Sequence, residues 1–322
     1  MNVHTPKQSL STDIRPNSPT VAVIVPCFNE AVAIGKVVTD FRSALPDARV
    51  YVYDNNSTDG TADLARAAGA TARAEPLQGK GNVVRRMFRD IDADVYVMVD
   101  GDDTYAAADA PRMVELLLRE QLDCVNGVRR SDEQEAYRFG HRIGNQVLTA
   151  LVTRLFGRVT EDMLTGYRVF SRRFVKSFPA LSSGFEIETE ITVHALQMRM
   201  RVADVETRYR GRPAGSASKL RTYTDGLNIL GTIIELVKQE RPLLFFNSLG
   251  AACIIIALTL FAPVLIEYLQ TGLVRRMPTA ILSSSLVMLA FVLSGCGLIL
   301  DTVTRGRKEI KLLAYLAIRN RL

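Results

Sequence analysis

An apolar run ends abruptly in three carboxylates at Val95-Tyr96-Val97-Met98-Val99-Asp100-Gly101-Asp102-Asp103. Asp100 and Asp102 flank a glycine, so the backbone can turn sharply and aim two oxygen ligands at one hard cation such as Mg²⁺ or Mn²⁺. A turn capping the next helix would use the same residue types, and the tripeptide alone leaves both readings open. Gly79-Lys80-Gly81 is a second candidate. Its glycines let backbone approach a diphosphate, Lys80 supplies charge, and a following helix offers its N-terminal N–H groups. A glycine-rich helix start with a solvated lysine is the plainer alternative. The third set is basic: Arg129-Arg130 close the run Asp123–Val128, and Arg138 and Arg142 stand four apart with Asn145 three further on. Facing arginine pairs can grip a phosphate monoester in bidentate fashion, although each arginine alone is also an ordinary surface ion-pair residue.

Groups so far apart in sequence need a scaffold that gathers them. Thr20–Pro26 reads as a strand by its β-branched content, stopped at Pro26, and Cys27-Phe28-Asn29-Glu30 leads into a helix from about Ala31 to Leu45. Val50–Tyr53 repeats the unit and ends at Asp54-Asn55-Asn56-Ser57-Thr58-Asp59-Gly60. Strands alternating with helices at this interval predict right-handed crossovers and a parallel sheet. Polar loops after Val25, Tyr53 and Val99 then meet at the rim where open α/β sheets bind ligands. Farther on, the pattern predicts a helix over Pro111–Glu120, a strand over Asp123–Val128, a helix over about Glu135–Phe156 and an edge strand over Val202–Thr207. Phe185-Glu186-Ile187-Glu188-Thr189-Glu190 opens another helix with three acids. The helix dipole accounts for them, and Glu186 is carried as a candidate only.

Apolar residues make up 48% of 322 positions, enough for a real core and about two domains. They are unevenly spread. Leu243–Tyr268 holds one charge, Glu267, and Ala280–Leu300 holds none, so each can cross about 30 Å of hydrocarbon as a helix. Before them, Leu227, Leu230, Ile233, Ile234 and Val237 share a helical face that suits either a membrane interface or a packed surface. Between the spans lie Arg275 and Arg276, and after them come Arg305, Arg307, Lys308, Lys311, Arg319 and Arg321; the positive-inside rule puts the tail in the cytosol. The formal charge of +6 favours an anionic partner, a phosphate ligand or an acidic membrane surface. Scattered basic residues without a recognisable module argue against nucleic acid. Four cysteines without Cys-x-x-Cys spacing read as reduced thiols, and three histidines leave little for a zinc cluster or a His-based triad. Met1–Pro19 is polar and lacks the apolar core of a signal peptide. The expected division is a disordered lead-in over 1–19, an α/β domain over 20–221, an interfacial helix over 222–242, two transmembrane helices over 243–301 and a basic cytosolic tail over 302–322.

Four motifs in order, Val25-Pro26-Cys27-Phe28-Asn29-Glu30, Asp54-Asn55-Asn56-Ser57-Thr58-Asp59-Gly60-Thr61, Gly79-Lys80-Gly81-Asn82 and Asp100-Gly101-Asp102, together resemble glycosyltransferase family 2. The resemblance implies a GT-A fold, an α/β Rossmann-like and mostly parallel sheet with helices on both faces, here followed by a C-terminal transmembrane hairpin. It implies that Pro26, Asn29, Glu30 and Asp54 contact the nucleoside of a nucleotide-sugar. Asp100, Gly101, Asp102 and Lys80 would then handle its diphosphate, with Mg²⁺ or Mn²⁺ on Asp100 and Asp102. The chain departs from the family's common Asp-Asp-Gly-Ser at Asp54-Asn55-Asn56-Ser57, which removes one carboxylate.

Further elements are similar to those of the polyprenyl-phosphate, dolichol-phosphate type, transferases. They are Gly127-Val128-Arg129 in place of Gly-Ser-Arg, Asp162-Met163-Leu164-Thr165-Gly166-Tyr167-Arg168 in place of Asp-x-x-Ser-Gly-Phe-Arg, and Arg212–Leu220 in place of a Gly-x-Ser-Lys loop. The implied acceptor-phosphate residues are Arg129, Arg138, Arg142 and Asn145, and the implied diphosphate loop carries Arg212, Ser216, Ser218 and Lys219. The implied activity is inverting transfer of a hexose from a UDP- or GDP-linked donor to a polyprenyl phosphate at the cytoplasmic (inner) membrane. The catalytic domain and both termini would be cytosolic, and homo-oligomers would form through the membrane segments. A soluble or protein acceptor, or a scaffold that binds a nucleotide-sugar without transferring it, remain alternatives. A processive polysaccharide synthase does not fit, because a chain without tryptophan has no Gln-x-x-Arg-Trp element.

Overall fold

Val23 and Val25 point to one face of a strand and Ala22 and Ile24 to the other, and all four are buried. Such a strand needs a packed layer on each side. The computed structural model, which describes residues 19–130, 160–184, 186–211, 231, 234, 235 and 237–318, has that arrangement. Strands β1 (Val21–Cys27), β2 (Arg49–Asp54), β3 (Thr71–Ala74), β4 (Val95–Met98), β5 (Cys124–Arg130), β6 (Arg168–Ser171) and β7 (Val202–Arg208) form one sheet in the order β3-β2-β1-β4-β6-β5-β7. The first four run parallel, β6 runs antiparallel between β4 and β5, and β7 lies parallel to β5 at the edge.

Two features of register matter for function. Cys27 pairs with Asp54, so the loops after β1 and β2 leave the sheet at one level. Met98 pairs with Arg168, so the reversed β6 begins where β4 ends and brings Thr165-Gly166-Tyr167 to the same rim.

Helices α1 (Ala31–Ala44), α2 (Thr61–Ala67), α3 (Lys80–Asp90), α4 (Ala110–Arg119), α5 (Arg172–Ser177) and α6 (Ile187–Gln197) complete the layers. Ile34, Val37 and Phe41 of α1 and Met113 and Leu117 of α4 pack on one face with Val23, Val25 and Val97. Val84, Met87 and Phe88 of α3, Phe174 of α5 and Ile191 of α6 pack on the other with Ile24, Tyr96 and Phe170. Ser171 caps α5 by accepting the Phe174 N–H at 3.1 Å.

Helices α7 (Pro242–Thr271) and α8 (Met277–Ala317) are both long and apolar enough to cross a membrane. They pack as an antiparallel pair along a seam of small residues seven apart, Gly250 and Ala257 against Ser283, Ala290 and Gly297. Leu258, Leu282, Phe291 and Leu298 remain exposed outside the seam, forming a continuous apolar surface. At 41 residues, α8 is about 60 Å long, roughly twice a hydrocarbon core.

The stretch read from sequence as a basic tail continues α8 as helix to Ala317 and packs on the α/β domain. Tyr315 donates its hydroxyl to the Asp123 carboxylate at 3.0 Å, under the Arg173 guanidinium, whose carbon lies 4.9 Å from the ring centre. Lys311 donates to Gln197 at 3.3 Å, and Arg307 and Lys308 pair with buried Glu240 at 3.1 and 3.2 Å. The positive charges of this stretch are thus spent partly within the protein. Sequence reading also gave no strand at β3 or β6, and the residues expected to form the helix over 135–156, the loop over 212–220 and most of the interfacial helix lie outside the described residues.

Candidate active site

The loops after β1 and β2 are tied to each other before they can bind anything else. Asn29, at φ +52°, accepts the Thr58 N–H through its side-chain oxygen at 2.9 Å and donates its own N–H to Ser57 Oγ at 2.8 Å. The N–H groups of Glu30 and Ala31 are taken by Thr61 Oγ1 and Asp59 Oδ2. Asp54 accepts from the Ser57 N–H through Oδ2 at 3.1 Å, while its Oδ1 is buried with no partner among the described residues. A buried acceptor left open costs free energy, so its partner is a donor beyond the described residues.

Lys80, the first residue of α3, buries its ammonium between two carboxylates, 2.6 Å from Asp100 Oδ1 and 2.5 Å from Glu188 Oε1. Burial alone would lower its pKa; the two carboxylates more than offset that and raise it, so the ammonium stays charged. Sequence reading gave Gly79 and Gly81 the task of admitting a diphosphate. The structure gives them another: a Cβ on either would run into the carbonyl oxygens of Ser183 and Ser182, and Gly81 donates its N–H to Ser183 at 3.0 Å. The glycines let α3 lie against the segment before α6, which is how Glu188 reaches Lys80.

Asp100 and Asp102 sit on one turn beyond β4, and Gly101 between them lies against Cys27 Sγ. Asp102 is buried and accepts the Thr104 hydroxyl at 2.6 Å. The third acid, Asp103, turns away at φ +56° to pair with Lys36 of α1 at 2.9 Å. Asp100 rests on Gly166, where any Cβ would overlap its carboxylate. A cleft of about 150 Å³ is lined by Pro26, Glu30, Asn55, Lys80, Asp100 and Asp102. Among the described residues no group of three or more acidic, histidine or cysteine side chains is placed to hold a metal. Two carboxylates on one turn nevertheless suit Mg²⁺ or Mn²⁺, hard cations that commonly take one or two carboxylates and complete their shell with substrate phosphates and water. Gly166→Ala is expected to weaken Mn²⁺ binding about tenfold by displacing Asp100, with the fold retained. Titration followed by electron paramagnetic resonance measures it.

Beyond Asp100 lies Tyr105, whose hydroxyl accepts the Gly166 N–H at 3.0 Å. Burial raises its pKa, and it feels both Arg129 and Asp100, so it stands between the carboxylate turn and the end of β5. Arg129 makes a bidentate pair with Asp162 at 2.6 and 2.7 Å, and its guanidinium carbon is 5.6 Å from the Tyr209 ring centre. Arg130, one residue on, is instead spent on exposed Glu206 and Glu161. Strand alternation sends the two arginines to different sides, so they do not form the pair that their adjacency suggested. Arg138, Arg142, Asn145, Arg212, Ser216, Ser218 and Lys219 lie outside the described residues. Glu188 was missed from sequence, which favoured Glu186. Burial almost all round α6 erases the periodic signal that would have singled it out.

The family model described as "Glycosyl transferase family 2" matches residues 22–178. Glycosyltransferase AglJ of Haloferax volcanii is 33% identical over 296 residues, which cover 91% of this chain and 97% of that one. A dolichyl-phosphate hexose transferase of the same organism is 28% identical over 221 residues, 69% of this chain and 95% of the other. Among solved structures, glucosyl-3-phosphoglycerate synthase from Mycobacterium tuberculosis, in complex with Mn²⁺, UDP and glucosyl-3-phosphoglycerate, superposes with a TM-score of 0.58 at 22% identity. That match covers 74% of this chain and 86% of the other. The sheet is therefore of the GT-A type, and the chain, with its carboxylate turn at the end of β4, belongs to glycosyl transferase family 2.

Proposed function

We propose that the chain is a membrane-anchored inverting transferase that moves a hexose from a UDP- or GDP-linked donor to a polyprenyl phosphate. The observation that carries this reading is the packing of α8 on the domain that holds Asp100, Asp102 and Lys80. A site suited to a diphosphate is thereby tied to two helices apolar enough for a bilayer. The relative named dolichyl-phosphate hexose transferase supports a lipid phosphate as acceptor. By the positive-inside rule, the charged end of α8 and the catalytic domain lie in the cytosol, with α7 and α8 as two spans of the inner membrane.

On the donor side, Asp54 Oδ1 accepts an N–H of the base, while Pro26, Asn29 and Glu30 enclose the nucleoside. Lys80 places a fixed positive charge beside Asp100 at the diphosphate. Asp100 and Asp102 are the residues that would hold a divalent cation, which when bound would add positive charge at the leaving nucleoside diphosphate. On the acceptor side Arg129, oriented by Asp162, binds the acceptor phosphate, a role assigned from the sequence also to Arg138, Arg142 and Asn145, and Arg212, Ser218 and Lys219 are assigned to the diphosphate. A phosphate monoester is already anionic near neutral pH, so no strong base is needed. Its oxygen bonds to the anomeric carbon as the bond to the diphosphate oxygen breaks, the electron pair leaves with the diphosphate, and the configuration inverts. Alignment and charge neutralisation supply the rate.

Membranes incubated with radiolabelled nucleotide-sugars and polyprenyl phosphate, then extracted with organic solvent, test the reading. One donor is expected to send label into the organic phase, a chelator to abolish this, and Mn²⁺ or Mg²⁺ to restore it. Label that stays aqueous with every donor would favour a soluble or protein acceptor, or a scaffold.

A further inference from the structure

We propose that Asn55 and Asn56 form a side-chain clamp that fixes the 75–79 loop, and through it Lys80, at the donor diphosphate, so that both act as positioning residues. The proposal rests on the donor half of the function above. Asn55 is 3% exposed. Its amide nitrogen donates to the carbonyls of Glu75 and Leu77 at 2.9 and 2.8 Å, and its oxygen accepts the Gly79 N–H at 2.7 Å. Only one orientation of the amide satisfies all three partners. Asn56 donates to the Pro76 carbonyl at 2.9 Å and to Gln78 Oε1 at 3.1 Å. Every residue from Glu75 to Gly79 is thus held by one of two adjacent side chains, in a loop with no regular structure between β3 and α3. Gly79 is the last residue before Lys80, whose ammonium bridges Asp100 and Glu188.

This gives the departure from Asp-Asp-Gly-Ser a physical content. A carboxylate at position 55 has no N–H to donate and would face two carbonyl oxygens, so this loop conformation requires the amide. Asn56 has φ +65°, a conformation that glycine and asparagine tolerate best; asparagine here keeps the turn and adds two hydrogen bonds. With both amide hydrogens of Asn55 taken by the loop, reading of the base falls to its neighbour Asp54.

The test uses the full-length chain in nanodiscs and two variants, Asn55→Asp and Asn56→Gly, the second chosen because glycine preserves the left-handed turn. In ligand-free protein, hydrogen exchange of the segment 76–83 is expected to speed up about tenfold or more in Asn55→Asp and about threefold in Asn56→Gly, with β1 and β4 unchanged. Affinity for UDP or GDP with Mn²⁺ is expected to fall about tenfold in Asn55→Asp, and donor KM to rise likewise, while kcat stays within about threefold and acceptor KM is unmoved. Unchanged exchange in Asn55→Asp overturns the clamp. So does a loss spread over the whole domain in which kcat and both KM values move together. If the wild type binds a nucleotide but transfers nothing to polyprenyl phosphate, the acceptor reading fails and exchange and affinity still judge the clamp. If it binds neither nucleotide, the donor reading fails and exchange alone decides.

Discussion

Asp102→Asn is expected to lower kcat by about 10²–10³-fold, about 3–4 kcal/mol of transition-state stabilisation, while acceptor KM and the melting temperature stay near wild type. Asparagine keeps the shape of the side chain and an oxygen to accept the Thr104 hydroxyl, which the carboxylate now takes at 2.6 Å. What it loses is a negative charge at the turn where, on the reading above, the departing diphosphate is neutralised. Asp102→Ala should do at least as much damage but also leaves the buried Thr104 hydroxyl without its partner, so the asparagine variant separates chemistry from folding. Single-turnover transfer at saturating donor across a Mn²⁺ titration measures the effect. A normal rate in Asp102→Asn would remove the metal assignment.

Lys80→Met should produce the second large effect, this time on stability as well as rate. Removing the ammonium leaves Asp100 and Glu188 facing each other at the cleft wall, and stripping one member from a buried charged group costs about 3–5 kcal/mol, an upper bound here because Asp100 reaches solvent in the cleft. Lys80→Met combined with Glu188→Gln removes the like-charge contact and should recover part of that loss without recovering transfer. Chemical denaturation of the purified protein, set beside the radiolabel assay, distinguishes the two quantities. If the double variant regained both, Lys80 would be a structural counter-ion with no part in handling phosphate.

Much of this site could be read from sequence because strand ends advertise themselves. Val95–Val99 running into Asp100-Gly101-Asp102, and Tyr53 running into Asp54, each mark where an apolar strand emerges at a polar rim, and the register of β1 with β2 and β4 places those ends together. Elements whose identity depends on tertiary context were not legible. β3, Thr71-Ala72-Arg73-Ala74, carries little β propensity and exists because β2 offers it an edge. β6 is four residues long, fully buried and reversed, so no alternation or crossover length announces it, yet it brings Gly166 under Asp100. Glu188 was hidden by a helix buried on nearly every side. Gly79 and Gly81 mark a close approach in the sequence itself, but that the neighbour is the backbone of Ser182 and Ser183 follows from tertiary packing alone.

The unbroken course of α8 sets both a phase and a height for the catalytic sheet. One residue inserted between Arg305 and Lys311 would rotate Tyr315 by about 100° and advance it by about 1.5 Å, carrying it off Asp123 and Arg173. Seven inserted residues would return it to within about 20° of its original azimuth and lift the sheet by about 10 Å. Each added residue changes azimuth and height together, so only insertions close to a whole number of turns would raise the sheet along the helix axis while keeping its orientation to α7 and α8.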